Sequence, residues 1–140
     1  MTTAAEIVEE ARTWLSTRWS HQHRSKGIAT DCAGIVIGVA AAKVGFSAEI
    51  PPYGRQPSND SMMKLCQQHM IRTDKPALGR VAVMKFDKEP QHMGIFGDYP
   101  LGGLSLIHAH ARNRMVVEHR FDDVWASRLV GVFILPGVIE

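Results

Sequence analysis

The feature that most constrains this fold is a change of hydrophobic period near Pro76. Before it, apolar residues recur at helical spacing; after it, short β-forming runs alternate with turn groups. In residues 4–19, Ile7, Val8, Ala11, Leu15 and Arg18 or Trp19 fall at helical intervals with Glu6, Glu9, Glu10 and Arg12 between them, which predicts an amphipathic opening helix. Acids in its first turns suit the helix dipole. Residues 20–30 are polar, contain Gly27 and read as a loop. Residues 33–44 are apolar on every side and end at Gly45, with Thr30 or Asp31 as the cap, the pattern of a buried helix whose first turn holds Cys32. Residues 50–59 are too rich in Pro and turn formers for regular structure. A cap among residues 58–60 predicts a third helix running to Met70 that buries Met62, Leu65, Cys66 and Met70. Strands are predicted at 81–86, 93–96, 104–110, 115–118 and 129–135, separated by turn groups at 88–90, 97–100, 101–103 and 112–114. Helices first and strands afterwards give an α+β fold with a mostly antiparallel sheet.

At 140 residues the chain fits one domain spanning 1–140, able to bury a core without staples. Sixteen Lys and Arg against fourteen Asp and Glu, scattered rather than clustered, offer no field for a nucleic-acid backbone. The two cysteines do not make a disulfide framework, so both read as thiols. The first ten residues carry acids where a secretory signal needs positive charge, so synthesis and folding in the cytoplasm are expected. The longest apolar stretch, 33–44, is too short to span a bilayer and contains Gly38 and Lys43, so no membrane insertion is expected.

Cys32 is the candidate nucleophile. A thiol at a helix N-terminus feels the positive end of the dipole, which favours the attacking thiolate, and the unpartnered N–H groups there, including that of Ala33, can hold an oxyanion. The charge of Asp31 works against the thiolate, so its expected role is to cap the helix and orient the turn. A cysteine nucleophile needs an imidazole base and a polar group to fix that ring. His92 opens one predicted strand and His108 lies in the next; on antiparallel neighbours the two can meet across the ladder. His110, on the same face, is a rival orienter. Cys66 reads as a core residue. His21-Gln22-His23 and His108-Ala109-His110 could with Cys32 be read as zinc ligands, but they lack the paired-Cys or helical spacing of such sites, and no metal is expected. His69 and His119 read as surface or half-buried residues. Arg24, Lys26 and Arg55 flank the expected cleft, where they could hold carboxylates or simply face solvent.

Asp31-Cys32-Ala33-Gly34-Ile35, then His92-Met93-Gly94-Ile95-Phe96, then Ile107-His108-Ala109, with Gly79-Arg80-Val81-Ala82-Val83 before the first His, resemble the NlpC family of papain-like bacterial cell-wall cysteine peptidases. The resemblance runs from about Trp19 to Pro136 and implies N-terminal helices packed on a five- to six-stranded, mostly antiparallel sheet. It also implies Cys32 as nucleophile, His92 as base, His108 as orienter and no cofactor. The implied substrate is a peptidoglycan stem peptide, commonly cut between D-glutamate and a diamino acid. Trp19-Ser20-His21-Gln22 and Pro52-Tyr53-Gly54-Arg55 resemble the phage tail-associated and gene-transfer-agent branch, whose members would have phage tail proteins, a secretion system or an immunity protein as partners. Without a secretory signal, action on the wall would pass through a virion, lysis or dedicated secretion. Two departures stand out. Trp19 occupies the position of the family's oxyanion-side Tyr, leaving that role to Trp19, to His21 or to neither, and Pro100-Leu101-Gly102-Gly103 lengthens the interval from His92 to His108.

Overall fold

The computed structural model describes residues 1–47, 61–86 and 90–139. A short strand, β1 (Thr2–Thr3), leads into helix α1 (Ala4–Arg12). The helix starts there because Thr3 and Glu6 form a reciprocal cap: the Glu6 N–H donates to Thr3 Oγ1 at 3.2 Å and the Thr3 N–H to Glu6 Oε1 at 3.1 Å. It buries Ala4, Ile7, Val8 and Ala11. The helix predicted to Trp19 therefore ends seven residues early. After it Trp14 is buried and Ser16 takes a left-handed backbone (φ 70°). The Ser16 and Trp19 N–H groups then donate to the Val116 and Arg114 carbonyls, so residues Arg18–Trp19 form strand β2 instead. Tertiary pairing overrides the helical pattern.

The expected loop at 20–30 contains two short strands, β3 (Arg24–Ser25) and β4 (Ala29–Thr30), paired antiparallel. Helix α2 (Cys32–Val44) follows, then α3 (Ser61–His69). The turn-rich segment 50–59 and the cap expected for α3 lie outside the described residues. Strands β5 (Ile71–Thr73), β6 (Val81–Lys85), β7 (Pro90–Asp98), β8 (Leu104–His110) and β9 (Met115–Arg120) come next, then a one-turn helix α4 (Asp123–Ala126), β10 (Leu129–Ile134) and β11 (Val138–Ile139). β11 pairs in parallel with β1.

Among the described residues one sheet has the order β3-β4-β2-β9-β8-β7-β6-β10-β5. Its centre is the antiparallel set of five strands β6 to β10, the sheet expected; two- and three-residue strands extend both edges. Sequence reading missed these edge strands because two or three residues are too few to show a period.

Helix α2 carries no polar face because it is enclosed. It joins α1 and the sheet face of Val81, Val83, Met93, Ile95, Ile107, Ala109, Val116 and Phe133 in one core. Each fully buried Ile or Val there, such as Ile35 and Val39, contributes roughly 2 kcal/mol by removal from water. On the opposite sheet face, Ala82, Met84, Phe96, Leu106 and Val132 are covered by Leu104, Phe121, Trp125 and Leu129. No helix of the described residues is long and apolar enough to cross a membrane.

Candidate active site

Cys32 is the first residue of α2, as the capping pattern predicts. Asp31, 2 % exposed, caps the helix: its Oδ1 accepts the Gly34 N–H at 2.8 Å and its Oδ2 the Gln22 N–H at 2.7 Å. The second bond holds Gln22 in a left-handed conformation (φ 58°) and so fixes the loop His21-Gln22-His23 over the helix start. Gly34 makes this contact possible. A Cβ there would lie 2.4 Å from the His23 carbonyl oxygen and 2.5 Å from Thr30 Oγ1. One carboxylate thus joins the loop at residues 21–23 to the turn that holds Cys32, and the sequence Asp-Cys-Ala-Gly is what allows it.

The sheet opens where α2 begins. In β7 the Phe96 N–H donates to the Arg80 carbonyl at 2.9 Å and the Phe96 carbonyl accepts the Gly79 N–H at 2.8 Å, so alternate residues from Phe96 turn their backbone groups toward β6 and those between toward β8. The β7–β8 register runs from Asp98 opposite Leu104 to Ile95 opposite Ile107 and stops. The Met93 N–H, on the β8 side beyond that point, reaches the Cys32 sulfur instead of a strand partner. The thiol therefore lies within one residue of His92 along β7. The Ala33 and Cys32 N–H groups also point at the sulfur.

His92 and His108 are brought together as predicted: His92 Nε2 and His108 Nδ1 are 2.5 Å apart and share a hydrogen bond. Extending the ladder would set His110, not His108, opposite His92. The structure uses the diagonal pair because Gly94 leaves the space: a Cβ there would be 3.1 Å from His108 Cβ and 2.7 Å from Leu106 Cδ1. His110 is half-buried and bonds Asn113 Oδ1 through Nδ1 at 2.9 Å; its ring lies 5.8 Å from that of His92. Of the two candidate orienters, only His108 bonds His92.

Two further residues join this group and escaped the sequence reading. His119 Nε2 lies 2.7 Å from the second nitrogen of His108, and its own Nδ1 bonds the Arg120 carbonyl at 2.9 Å. Trp125, delivered by α4, packs against the histidines, with its ring 4.9 Å from that of His108 and 5.1 Å from that of His119. Strand alternation carried the signal for His119: His110 faces Met115 across the turn, so Val117 faces His108 and His119 is the next residue on that face. Trp125 gave none, because a one-turn helix has no readable period.

Burial sets the resting charge state. It pushes the Cys32 thiol up to about 12, the neighbouring charge of Asp31 adding to the effect and the Met93, Ala33 and Cys32 N–H groups opposing it. The helix-start N–H groups thus favour the thiolate and Asp31 opposes it, as expected, while desolvation is the larger contribution. Burial likewise lowers His92 to about 3, with repulsion from the Arg128 charge and from the protonated forms of His110 and His119 adding to it, and drives His108 far down as well. These shifts favour the uncharged forms of all three groups, a thiol at Cys32 and neutral rings at His92 and His108.

The remaining candidates are distributed as follows. Trp19 is half-buried in β2, packs against the same core as Cys32 and lies opposite Thr30. His21 Nδ1 is 4.0 Å from Asp31 Oδ2, at the rim of the helix start. Ala33 is buried. Lys26 is engaged by Glu10 at 3.0 Å, on the α1 side, while Arg24 is exposed and Arg55 lies outside the described residues. Cys66 is buried mid-helix in α3, its thiol also raised by burial. Among the described residues no group of three or more His, Cys, Asp or Glu side chains is arranged to hold a metal ion.

No protein-family model and no curated protein matches the chain. Solved structures do. The chain is similar to the NlpC/p60 domain of the peptidoglycan hydrolase SagA, at 17 % identity over 96 % of this chain and 100 % of that one, with a TM-score of 0.66. A NlpC/p60 family protein from Bacillus cereus matches at 14 % identity over 95 % of this chain with a TM-score of 0.68; this chain spans 40 % of that protein. An N-acetylmuramoyl-L-alanine amidase from Bacteroides uniformis matches at 13 % identity over 94 % of this chain and 97 % of that one, with a TM-score of 0.58. At such identities the likeness establishes the fold, which is that of NlpC/p60 domains.

Proposed function

We propose that this chain is a cysteine hydrolase of the NlpC family that cleaves amide bonds in peptidoglycan stem peptides, with Cys32 as nucleophile, His92 as base and His108 as orienter. The observation that carries the reading is the meeting of a capped helix-start thiol with the strand bearing a buried, hydrogen-bonded histidine pair. A binding surface has no need of this combination, since each buried imidazole costs desolvation that packing alone would not require.

In the reaction, the Cys32 thiol passes its proton to His92 as the sulfur attacks the amide carbonyl. The oxyanion forms beside the Cys32 and Ala33 N–H groups at the helix start, with Trp19 and His21 flanking it; a single well-aimed donor of this kind is worth roughly a hundredfold in rate or more. His92 returns the proton to the leaving amine, and water, deprotonated by the same imidazole, releases the acyl group from sulfur. Trp125 and Phe86 shield the imidazole from solvent, the Phe86 ring lying 5.0 Å from that of His92.

The finer reading is endopeptidase cleavage between D-glutamate and a diamino acid, on the motif resemblance. The same motifs support the phage tail-associated branch, with delivery to the wall by virion, lysis or secretion. Likeness to the Bacteroides uniformis amidase favours a second reading, cleavage at the muramoyl–alanine bond. Digestion of purified peptidoglycan by wild-type and Cys32→Ala protein, with fragments identified by mass, tests both. A new amino terminus on the diamino acid supports the endopeptidase, and one on L-alanine the amidase. No wild-type fragments, or equal fragments from the variant, overturns the proposal.

A further inference from the structure

The three imidazoles of His92, His108 and His119 form a continuous hydrogen-bonded line across β7, β8 and β9, each step moving two residues along the sheet. The line ends on a backbone carbonyl, that of Arg120, 2.9 Å from His119 Nδ1. A carbonyl can only accept. The proton of a neutral His119 is therefore on Nδ1, and its Nε2 carries a lone pair.

The next bond is then decided. His119 Nε2 accepts, so His108 donates through Nε2–H across the 2.7 Å contact and keeps a lone pair on Nδ1. That lone pair in turn requires His92 to donate through Nε2–H across the 2.5 Å contact. The one nitrogen of His92 left with a lone pair is Nδ1. His108 is fully buried and His92 4 % exposed, so bulk water does not substitute for either partner, and neutral rings leave no alternative that satisfies every bond.

We propose that His119 is a positioning residue which, anchored on the Arg120 carbonyl, fixes the tautomers of His108 and His92 in series and so presents His92 Nδ1 as the base toward Cys32. This rests on the reading of Cys32 and His92 as nucleophile and base. It adds a third imidazole to the pair that the sequence motifs identify, and gives the Arg120 carbonyl the part that a carboxylate plays in other catalytic sites: a fixed acceptor that sets which ring nitrogen is basic. Trp125 holds the line in place, its ring packed 5.1 Å from that of His119 and 4.9 Å from that of His108.

If His119 loses its acceptor, His108 can turn its proton to Nδ1, which forces His92 Nε2 to accept and moves the His92 proton onto Nδ1. The base would then face the thiol with a hydrogen in place of a lone pair. Long-range proton–nitrogen correlation spectra of protein labelled with nitrogen-15 histidine, taken near neutral pH, read the tautomers directly. The expected protonated positions are Nδ1 of His119, Nε2 of His108 and Nε2 of His92. Wild-type protein showing His92 or His108 protonated on Nδ1 overturns the proposal, whatever its activity.

Two variants separate positioning from packing. His119→Gln supplies an amide oxygen to accept from His108 and an amide N–H for the Arg120 carbonyl; His119→Leu supplies neither. The Gln protein is expected to keep the wild-type tautomers of His92 and His108 and most of its turnover on peptidoglycan. The Leu protein is expected to lose on the order of tenfold or more in kcat, with KM little changed, because a wrong tautomer removes a fraction of competent enzyme without touching substrate binding. A folded Leu variant with wild-type kcat, or a Gln variant as impaired as the Leu one, contradicts the role of His119. If the Leu protein does not fold, the wild-type spectrum and the Gln variant still decide. Absence of wild-type turnover would defeat the hydrolase reading alone, since the spectra test the tautomer order without it.

Discussion

Acid should weaken this fold earlier than carboxylate protonation would, because two imidazoles of the site are buried in neutral form. His92 is lowered from the ordinary 6.5 to about 3 and His108 falls further, both through burial first and neighbouring positive charge second. In the unfolded chain both regain ordinary values. Between pH 6.5 and the folded values the unfolded state therefore binds more protons than the native one, so stability rises with pH across this window and is fully present above it. Each such histidine contributes about 1.4 kcal/mol per pH unit, so by about pH 4.5 His92 and His108 together remove roughly 5 kcal/mol. That is comparable with the whole stability of many domains, about 5–15 kcal/mol. Glu118 and Asp98, held low by hydrogen bonds from Arg12, add their loss only below the carboxylate range. Urea unfolding followed by tryptophan fluorescence at several pH values from 7.5 to 4.5 measures the slope. The expected result is a flat region above about pH 6.5 and a steep fall beneath it, with the slope of a His92→Asn variant smaller by about 1.4 kcal/mol per unit. A wild-type stability that changes by less than about 1 kcal/mol across the range, or an undiminished slope in the variant, would refute the burial of neutral imidazoles.

Gly94→Ala places a methyl 3.1 Å from His108 Cβ and 2.7 Å from Leu106 Cδ1. It is expected to cost about 1–3 kcal/mol of stability by overpacking and to lower kcat by displacing His108 from His92; unchanged unfolding and turnover would show that the close approach is unimportant. Asp31→Asn keeps an acceptor for the Gly34 N–H but removes the charge that helps raise the Cys32 thiol. The pH dependence of alkylation at Cys32 should therefore shift to lower pH, and a shift upward or none contradicts the electrostatic role given to Asp31. Cys32, half-buried, should react with a small alkylating reagent ahead of Cys66, which is 2 % exposed, as mapped by peptide mass; faster labelling of Cys66 would favour a non-catalytic binding module.

The central sheet and α2 were legible because each is long enough to show a period: α2 is apolar all round, and the five central strands carry β-formers between clear turns. The end of α1 was not legible. Trp14, Leu15 and Trp19 continue a helical pattern, and only Val116 and Arg114, about a hundred residues away, draw the chain into β2. Cys32, His92 and His108 stood out by residue type in ordered motifs, whereas His119 was passed over as an ordinary surface or half-buried residue although strand alternation set it on the His108 face. The electrostatics of Cys32 were legible only in part: the helix start and Asp31 are visible in sequence, while burial, the largest influence on the thiol, is a property of the packed fold.

The central claim is that Cys32 forms a covalent acyl intermediate with a stem peptide. Its most direct test is intact-mass analysis of protein mixed with a defined stem peptide and quenched in acid within a turnover, followed by digestion to locate the adduct. The predicted result is a mass increase equal to the acyl fragment on the peptide that contains Cys32, absent in Cys32→Ala. Turnover by wild-type protein with no adduct at Cys32, accompanied by turnover in the variant, would contradict it.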